Sequence, residues 1–158
     1  MGSRTPAARQ ADMAKAWRIL KTAVSCYIAH DALSRGAANV VFVESSAKAV
    51  ALIRENLEAL GIGAGYSVLR SDVTAALRKL EGAGTVANVV FLDPPYAGQT
   101  LYQGTLEALQ VWSGVNTETV IIAEHDKRSD PGEAVGLLQR YRKLAQGDAA
   151  LSFYRKAT

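Results

Sequence analysis

The chain has 158 residues, 49% hydrophobic and 21% charged, the size and composition of a single soluble globular domain with its own core. No run approaches the roughly 18 uninterrupted apolar residues of a membrane helix, the lone Cys26 excludes an internal disulfide and suits a reducing, cytoplasmic setting, and no Cys and His cluster offers a metal site. The 18 basic and 15 acidic residues are unevenly spread: Arg4, Arg9, Lys15, Arg18 and Lys21 lie near the start, and Arg140, Arg142, Lys143, Arg155 and Lys156 near the end, a pattern able to grip phosphates around a neutral centre.

Met13, Trp17, Leu20, Val24, Tyr27 and Ile28 recur at helical spacing, which predicts one amphipathic helix over 11–35. The opposing reading makes 23–29 a strand. Val40-Val41-Phe42-Val43 is a short β-branched apolar run, hence a buried strand. Ser45 or Ser46 caps the next helix, in which Val50, Ile53, Leu57 and Leu60 share a face and Gly61 supplies the stop. A second strand is predicted over 66–69. Asp72 then opens a helix carrying Val73, Ala76, Leu77 and Leu80, ended by Gly82-Ala83-Gly84. Val89-Val90-Phe91-Leu92 is the clearest buried strand, and it must stop at Asp93-Pro94-Pro95 because proline has no N–H for the ladder. A helix over 101–112 and a strand over 119–123 follow. Two antiparallel strands over 136–144 and 150–154 are expected at the sheet edge. Apolar strands alternating with helices imply a Rossmann-like α/β domain, mostly parallel with an antiparallel edge. It is expected to span 1–158 as one domain, with 1–30 atypical.

Ligands of open α/β sheets sit beyond the carboxyl ends of the strands, where Asp93-Pro94-Pro95-Tyr96 is placed. The exocyclic amine of a nucleobase is a poor nucleophile because its lone pair is delocalised into the ring. A site that methylates it must accept its N–H hydrogen bonds and aim the lone pair. The Asp93 carboxylate and the Pro94 carbonyl are suited to accept them. Pro94 and Pro95 bring no competing donor, and Tyr96 offers a ring for stacking the base. A plain turn after a strand is the structural alternative. Glu44, at the end of its strand, is a candidate for the ribose hydroxyls of a nucleotide-like cofactor. Asp72 is a candidate for the adenine region of that cofactor, or simply a helix cap. His125 reads as solvated or structural rather than catalytic, Trp17 and Trp112 as core residues, and His30 and Cys26 as bystanders.

Ala32-Leu33-Ser34-Arg35-Gly36-Ala37, Val41-Phe42-Val43-Glu44, Ile53-Arg54-Glu55-Asn56-Leu57, Phe91-Leu92-Asp93-Pro94-Pro95-Tyr96, Glu124-His125-Asp126 and Leu151-Ser152-Phe153-Tyr154-Arg155, in this order, resemble the RsmD family. Its members are bacterial guanine-N2 methyltransferases of small-subunit ribosomal RNA. The resemblance covers about residues 31–156. It implies a class I methyltransferase fold with S-adenosylmethionine as methyl donor. The implied substrate is a guanine of ribosomal RNA, free or in a small-subunit assembly particle. The family's first strand and glycine-rich loop precede the first of these segments. Without gaps, Val24, Cys26 and Ala29 fall where its glycines belong, and Leu20 at its strand-end Asp. A helix over 11–35 then leaves the cofactor crevice short of a wall, with an expected affinity weaker than about millimolar, under roughly 4 kcal/mol. Two other readings stand beside methylation of RNA. One is an RNA-binding module without the cofactor; the other, an adenine-N6 DNA methyltransferase, lacks room for a target-recognition domain.

Overall fold

The computed structural model describes residues 24–93 and 99–158, which fall into two compact units, one ending at Ser71 and one beginning at Asp72. Among the described residues no helix is long and apolar enough to cross a membrane.

The first unit contains α1 (Val24–Ser34), β1 (Val40–Glu44), α2 (Ala47–Ala59) and β2 (Tyr66–Arg70). The two strands are parallel, with Val40 opposite Tyr66 and Glu44 opposite Arg70. Ser46 caps α2 by accepting the Ala49 N–H at 3.3 Å. The helix buries Val50, Ile53 and Leu57, the stripe expected from its spacing. At its end Gly61 takes a positive φ of 71°. Its N–H then reaches the Glu58 carbonyl while that of Ile62 reaches Leu57, a Schellman stop that satisfies two orphan carbonyls. Ala29, Phe42, Ile53 and Leu57 form the core, with Val40, Tyr66 and Val68 packed against them.

Residues 24–29 are helical, so the strand alternative for 23–29 does not hold where the chain is described. The remainder of the predicted 11–35 helix, 11–23, lies outside the described residues. Tyr27 and Ile28, expected on the apolar face, are exposed, and Ala29 is the buried residue of that turn.

The second unit contains α3 (Val73–Gly82), β3 (Val89–Leu92), α4 (Gln99–Val111), β4 (Val120–Asp126), a short 3-10 turn (Lys127–Ser129), β5 (Ala134–Val135), β6 (Leu138–Gln146) and β7 (Ala149–Lys156). Its sheet runs in the order β3-β4-β7-β6-β5. The β3–β4 pair is parallel, and the other three pairs are antiparallel. Tyr102, Leu106 and Leu109 of α4 pack with Ile121, Ala123, Leu138 and Tyr154 of one sheet face, and Leu77 and Leu80 of α3 join this core. Thr119 ties the starts of β3 and β4 together: its buried hydroxyl donates to the Ala87 carbonyl at 2.7 Å.

Two expectations need correction here. The strand predicted over 119–123 continues to Asp126, because its pairing with β7 persists to Ala149. β7 lies between β4 and β6 rather than at the edge. The edge belongs to β5, a two-residue strand too short to leave a periodic signal.

Candidate active site

The sequence-predicted carboxylates stand at strand ends or just beyond them. Glu44 is the last residue of β1, half-buried. Its Oε1 accepts the Ser46 N–H at 2.7 Å, so the turn that starts α2 also fixes the carboxylate. Asp72, two residues beyond β2, is the N-cap of α3. Its Oδ1 accepts the Ala75 N–H at 2.9 Å, so the helix-cap reading is realised. Asp93 directly follows β3 and is exposed. Pro94, Pro95 and Tyr96 lie outside the described residues.

Beside Asp93 stands a residue that sequence reasoning passed over. Leu92 of β3 pairs with Ala123 of β4, so one step further on each parallel strand brings Asp93 next to Glu124. Neighbouring strands lie about 4.8 Å apart. Side chains alternate across a strand, so Ile121, Ala123 and His125 share one face and Glu124 takes the other. Glu124 is only 8% exposed. Burial, and then the negative charge of Asp93, raise its carboxyl from the usual 4.5 to about 7. Its Oε2 is buried and has no hydrogen-bond partner among the described residues. The Tyr102 phenol donates to its backbone carbonyl, tying α4 to this end of β4. The signal was present in the sequence: one carboxylate closes the apolar run Val120-Ile121-Ile122-Ala123, in the strand that follows the Asp93 strand.

His125 has the structural role expected of it. It is fully buried, with Nδ1 2.8 Å from the Asp126 carbonyl and Nε2 2.9 Å from Ser152 Oγ. A carbonyl only accepts, so Nδ1 carries the proton and Nε2 accepts from the Ser152 hydroxyl. Ser152 in turn accepts from Arg140 at 3.3 Å, and Arg140 donates to Asp130 at 2.6 Å. Although burial pushes Asp130 up, hydrogen bonds from Lys143, Gly132 and Arg140 hold it well below the usual carboxylate range. This network braces β4, β6 and β7 behind the site. Trp112 is a core residue, as expected, and His30 is exposed. Trp17 and the Cys26 side chain fall outside the described residues. Among the described residues no group of His, Cys, Asp and Glu is arranged to hold a metal.

Residues 13–155 match the family described as Conserved hypothetical protein 95. YlbH of Bacillus subtilis (strain 168), named as a candidate rRNA methyltransferase, is 32% identical over 126 residues, covering 80% of this chain and 68% of that one. A conserved hypothetical protein of Streptococcus pyogenes superposes with a TM-score of 0.71 at 28% identity, over 85% of this chain and 81% of that one. The SAH-bound methyltransferase PaMTH1 of Podospora anserina gives 0.64 over 100% of this chain and 80% of that one; its 14% identity makes this a likeness of fold alone. The fold is that of the class I S-adenosylmethionine-dependent methyltransferases. The strand-end carboxylates thus sit on a known frame, and the chain belongs to the Conserved hypothetical protein 95 family, the RsmD family that its motifs resemble.

Proposed function

We propose that this protein transfers a methyl group from S-adenosylmethionine to the exocyclic N2 amine of a guanine in small-subunit ribosomal RNA, free or in an assembly particle, in the cytoplasm. The observation that carries the reading is Asp93 at the carboxyl end of β3, opening the run Asp93-Pro94-Pro95-Tyr96. A carboxylate there accepts an N–H of the amine and turns the nitrogen lone pair toward the methyl group. The gain is one of orientation, which needs no covalent intermediate. The Pro94 carbonyl is assigned the second N–H, and Tyr96 the stacking of the base. The kinship with YlbH supports an rRNA substrate.

The residues fit the methyl donor. Glu44 has one oxygen held by the Ser46 N–H and another for the ribose hydroxyls, and Asp72 is assigned to the adenine side. S-adenosylmethionine, when bound, supplies an electrophilic methyl group. Among known methyltransferases of this fold, PaMTH1 is described with SAH, the demethylated form of that donor.

A second reading, an RNA-binding module that has lost the donor, is favoured by one feature. Residues 24–29 are helical where the family's glycine-rich loop was expected, and among the described residues β3 pairs with β4 alone. Calorimetric titration with S-adenosylmethionine, paired with transfer of a labelled methyl group to small-subunit rRNA, separates the two. Methyl transfer with a dissociation constant in the micromolar range, about 8 kcal/mol of binding, would sustain the enzyme and overturn the weak affinity expected of a helical 11–35 segment. Affinity weaker than about millimolar, with RNA binding retained, would replace the enzyme by the module.

A further inference from the structure

A carboxyl that is only 8% exposed, with one oxygen partnerless among the described residues, destabilises a fold, and such a group calls for an explanation. Glu124 is of this kind, and the strand register sets it beside Asp93. Resting on the methyl-transfer reading, we propose that Glu124 is the proton store behind Asp93: its Oε2 takes over the proton that the target amine passes to the Asp93 carboxylate.

The proton must go somewhere. When the amine nitrogen uses its lone pair to bond the donor's methyl carbon, that carbon's bond to sulfur would break with its electron pair staying on sulfur, and the nitrogen, now positively charged, has to release an N–H proton. That N–H bond breaks with its electron pair staying on nitrogen, and the proton moves to an Asp93 carboxylate oxygen. It then passes to Glu124, where an O–H bond forms, and Asp93 returns to its anionic form. Solvent receives the proton between turnovers. Glu124 touches no substrate atom in this scheme; it is a positioning residue that acts through Asp93.

The surroundings of Glu124 suit the task. From β3 the facing group is Asp93, whose charge, after burial, raises Glu124 to about 7. From β7 the paired residue is the uncharged Leu151. From α4 the Tyr102 phenol is spent on the Glu124 backbone carbonyl. On its own strand His125 is engaged with Ser152 and Asp126 with Arg128. A carboxyl poised near neutral pH both accepts and releases a proton, the condition general acid–base work requires.

The test follows single-turnover methylation of small-subunit rRNA from about pH 5.5 to about pH 9 with the wild type, Glu124→Gln and Glu124→Asp. Alongside it, the Glu124 carboxyl carbon is titrated by NMR in the wild type and in Asp93→Asn. The wild-type rate is expected to climb as Glu124 ionises near pH 7. Glu124→Gln should lose roughly ten-fold or more, with a flat pH profile and unchanged affinity for RNA and donor. Glu124→Asp should recover the pH-dependent limb, and the NMR midpoint should fall in Asp93→Asn. Wild-type rate and pH profile in Glu124→Gln, or a Glu124 midpoint in the ordinary carboxylate range, would overturn the proposal and leave the methyl-transfer reading standing. A wild type that methylates no RNA amine overturns that reading, and the proposal with it.

Discussion

Asp93, just beyond β3, and Glu124, inside β4, are neighbouring carboxyls with different surroundings, and that difference underlies the tasks proposed for them. Asp93 is exposed, and Glu124 is buried beside it. Replacing Asp93 by Ala removes the acceptor that orients the amine and should abolish methyl transfer while leaving the thermal midpoint nearly unchanged. A variant keeping more than about a tenth of the wild-type rate, a loss under ~1.4 kcal/mol, would refute that role. Glu124 has a consequence for stability as well. Its folded-state carboxyl is raised from 4.5 to about 7, so the folded protein holds the proton more tightly than the unfolded chain. The stability linked to that proton is fully present below about pH 4.5 and is lost as the pH rises through about 7. Glu124→Gln mimics the neutral acid at every pH. It is expected to match the wild type near pH 4 and to exceed it at pH 8 by up to ~3 kcal/mol, read from urea unfolding at both pH values. An unfolding difference that does not change between those two pH values would show that Glu124 is not held protonated by the fold.

At the scale of helices and strands, the sequence is most legible where local chemistry decides. The stops of α2 and α3 are glycines at positive φ, Gly61 and Gly84, each followed by a residue whose N–H closes the Schellman bond. The caps Ser46 and Asp72 are equally local. Asp93 could be found because two prolines end its strand on stereochemical grounds. Tertiary pairing was less legible. β7 inserts between β4 and β6 through contacts distant in sequence, and Glu124 acquires its character only when register brings Asp93 alongside. Gly114 shows the same dependence. It lies in the turn after α4, and a Cβ there would come within 2.5 Å of the Thr85 carbonyl oxygen and still closer to the Trp112 ring. Trp112, two residues before it, is buried, and the Gly114 carbonyl accepts the Ala87 N–H at 2.9 Å, so neither side can yield freely. Gly114→Ala is expected to cost roughly 1–3 kcal/mol, the range for overpacked cores. A thermal midpoint equal to the wild type would show that this turn relaxes without penalty.

Across the whole molecule, charge placement bears on the proposed binding of RNA, and the structure divides four of the basic residues near the C-terminus into two kinds. Arg140 and Lys143 are spent on Asp130, at 2.6 and 2.5 Å, and brace the hairpin from within. Arg142 and Arg155 are exposed. Their guanidinium groups lie over the Phe153 and Tyr141 rings at 5.6 and 5.2 Å, which orients them without neutralising them. Arg4, Arg9, Lys15, Arg18 and Lys21 lie outside the described residues. A phosphate contact releases condensed counterions, so each one adds about 0.7 to the slope of log affinity against log salt for single-stranded RNA. RNA binding should therefore weaken steeply between low and physiological salt. Arg142→Ala and Arg155→Ala should each flatten the slope by roughly 0.7, whatever the RNA sequence. Arg140→Ala should leave the slope unchanged and instead lower the unfolding midpoint, because it strips Asp130 and Ser152 of a partner. Fluorescence anisotropy across a salt series, with thermal melts of the same variants, reads both quantities. A slope unmoved by the two exposed arginines, or moved as much by Arg140, would show that phosphates are gripped elsewhere on the chain.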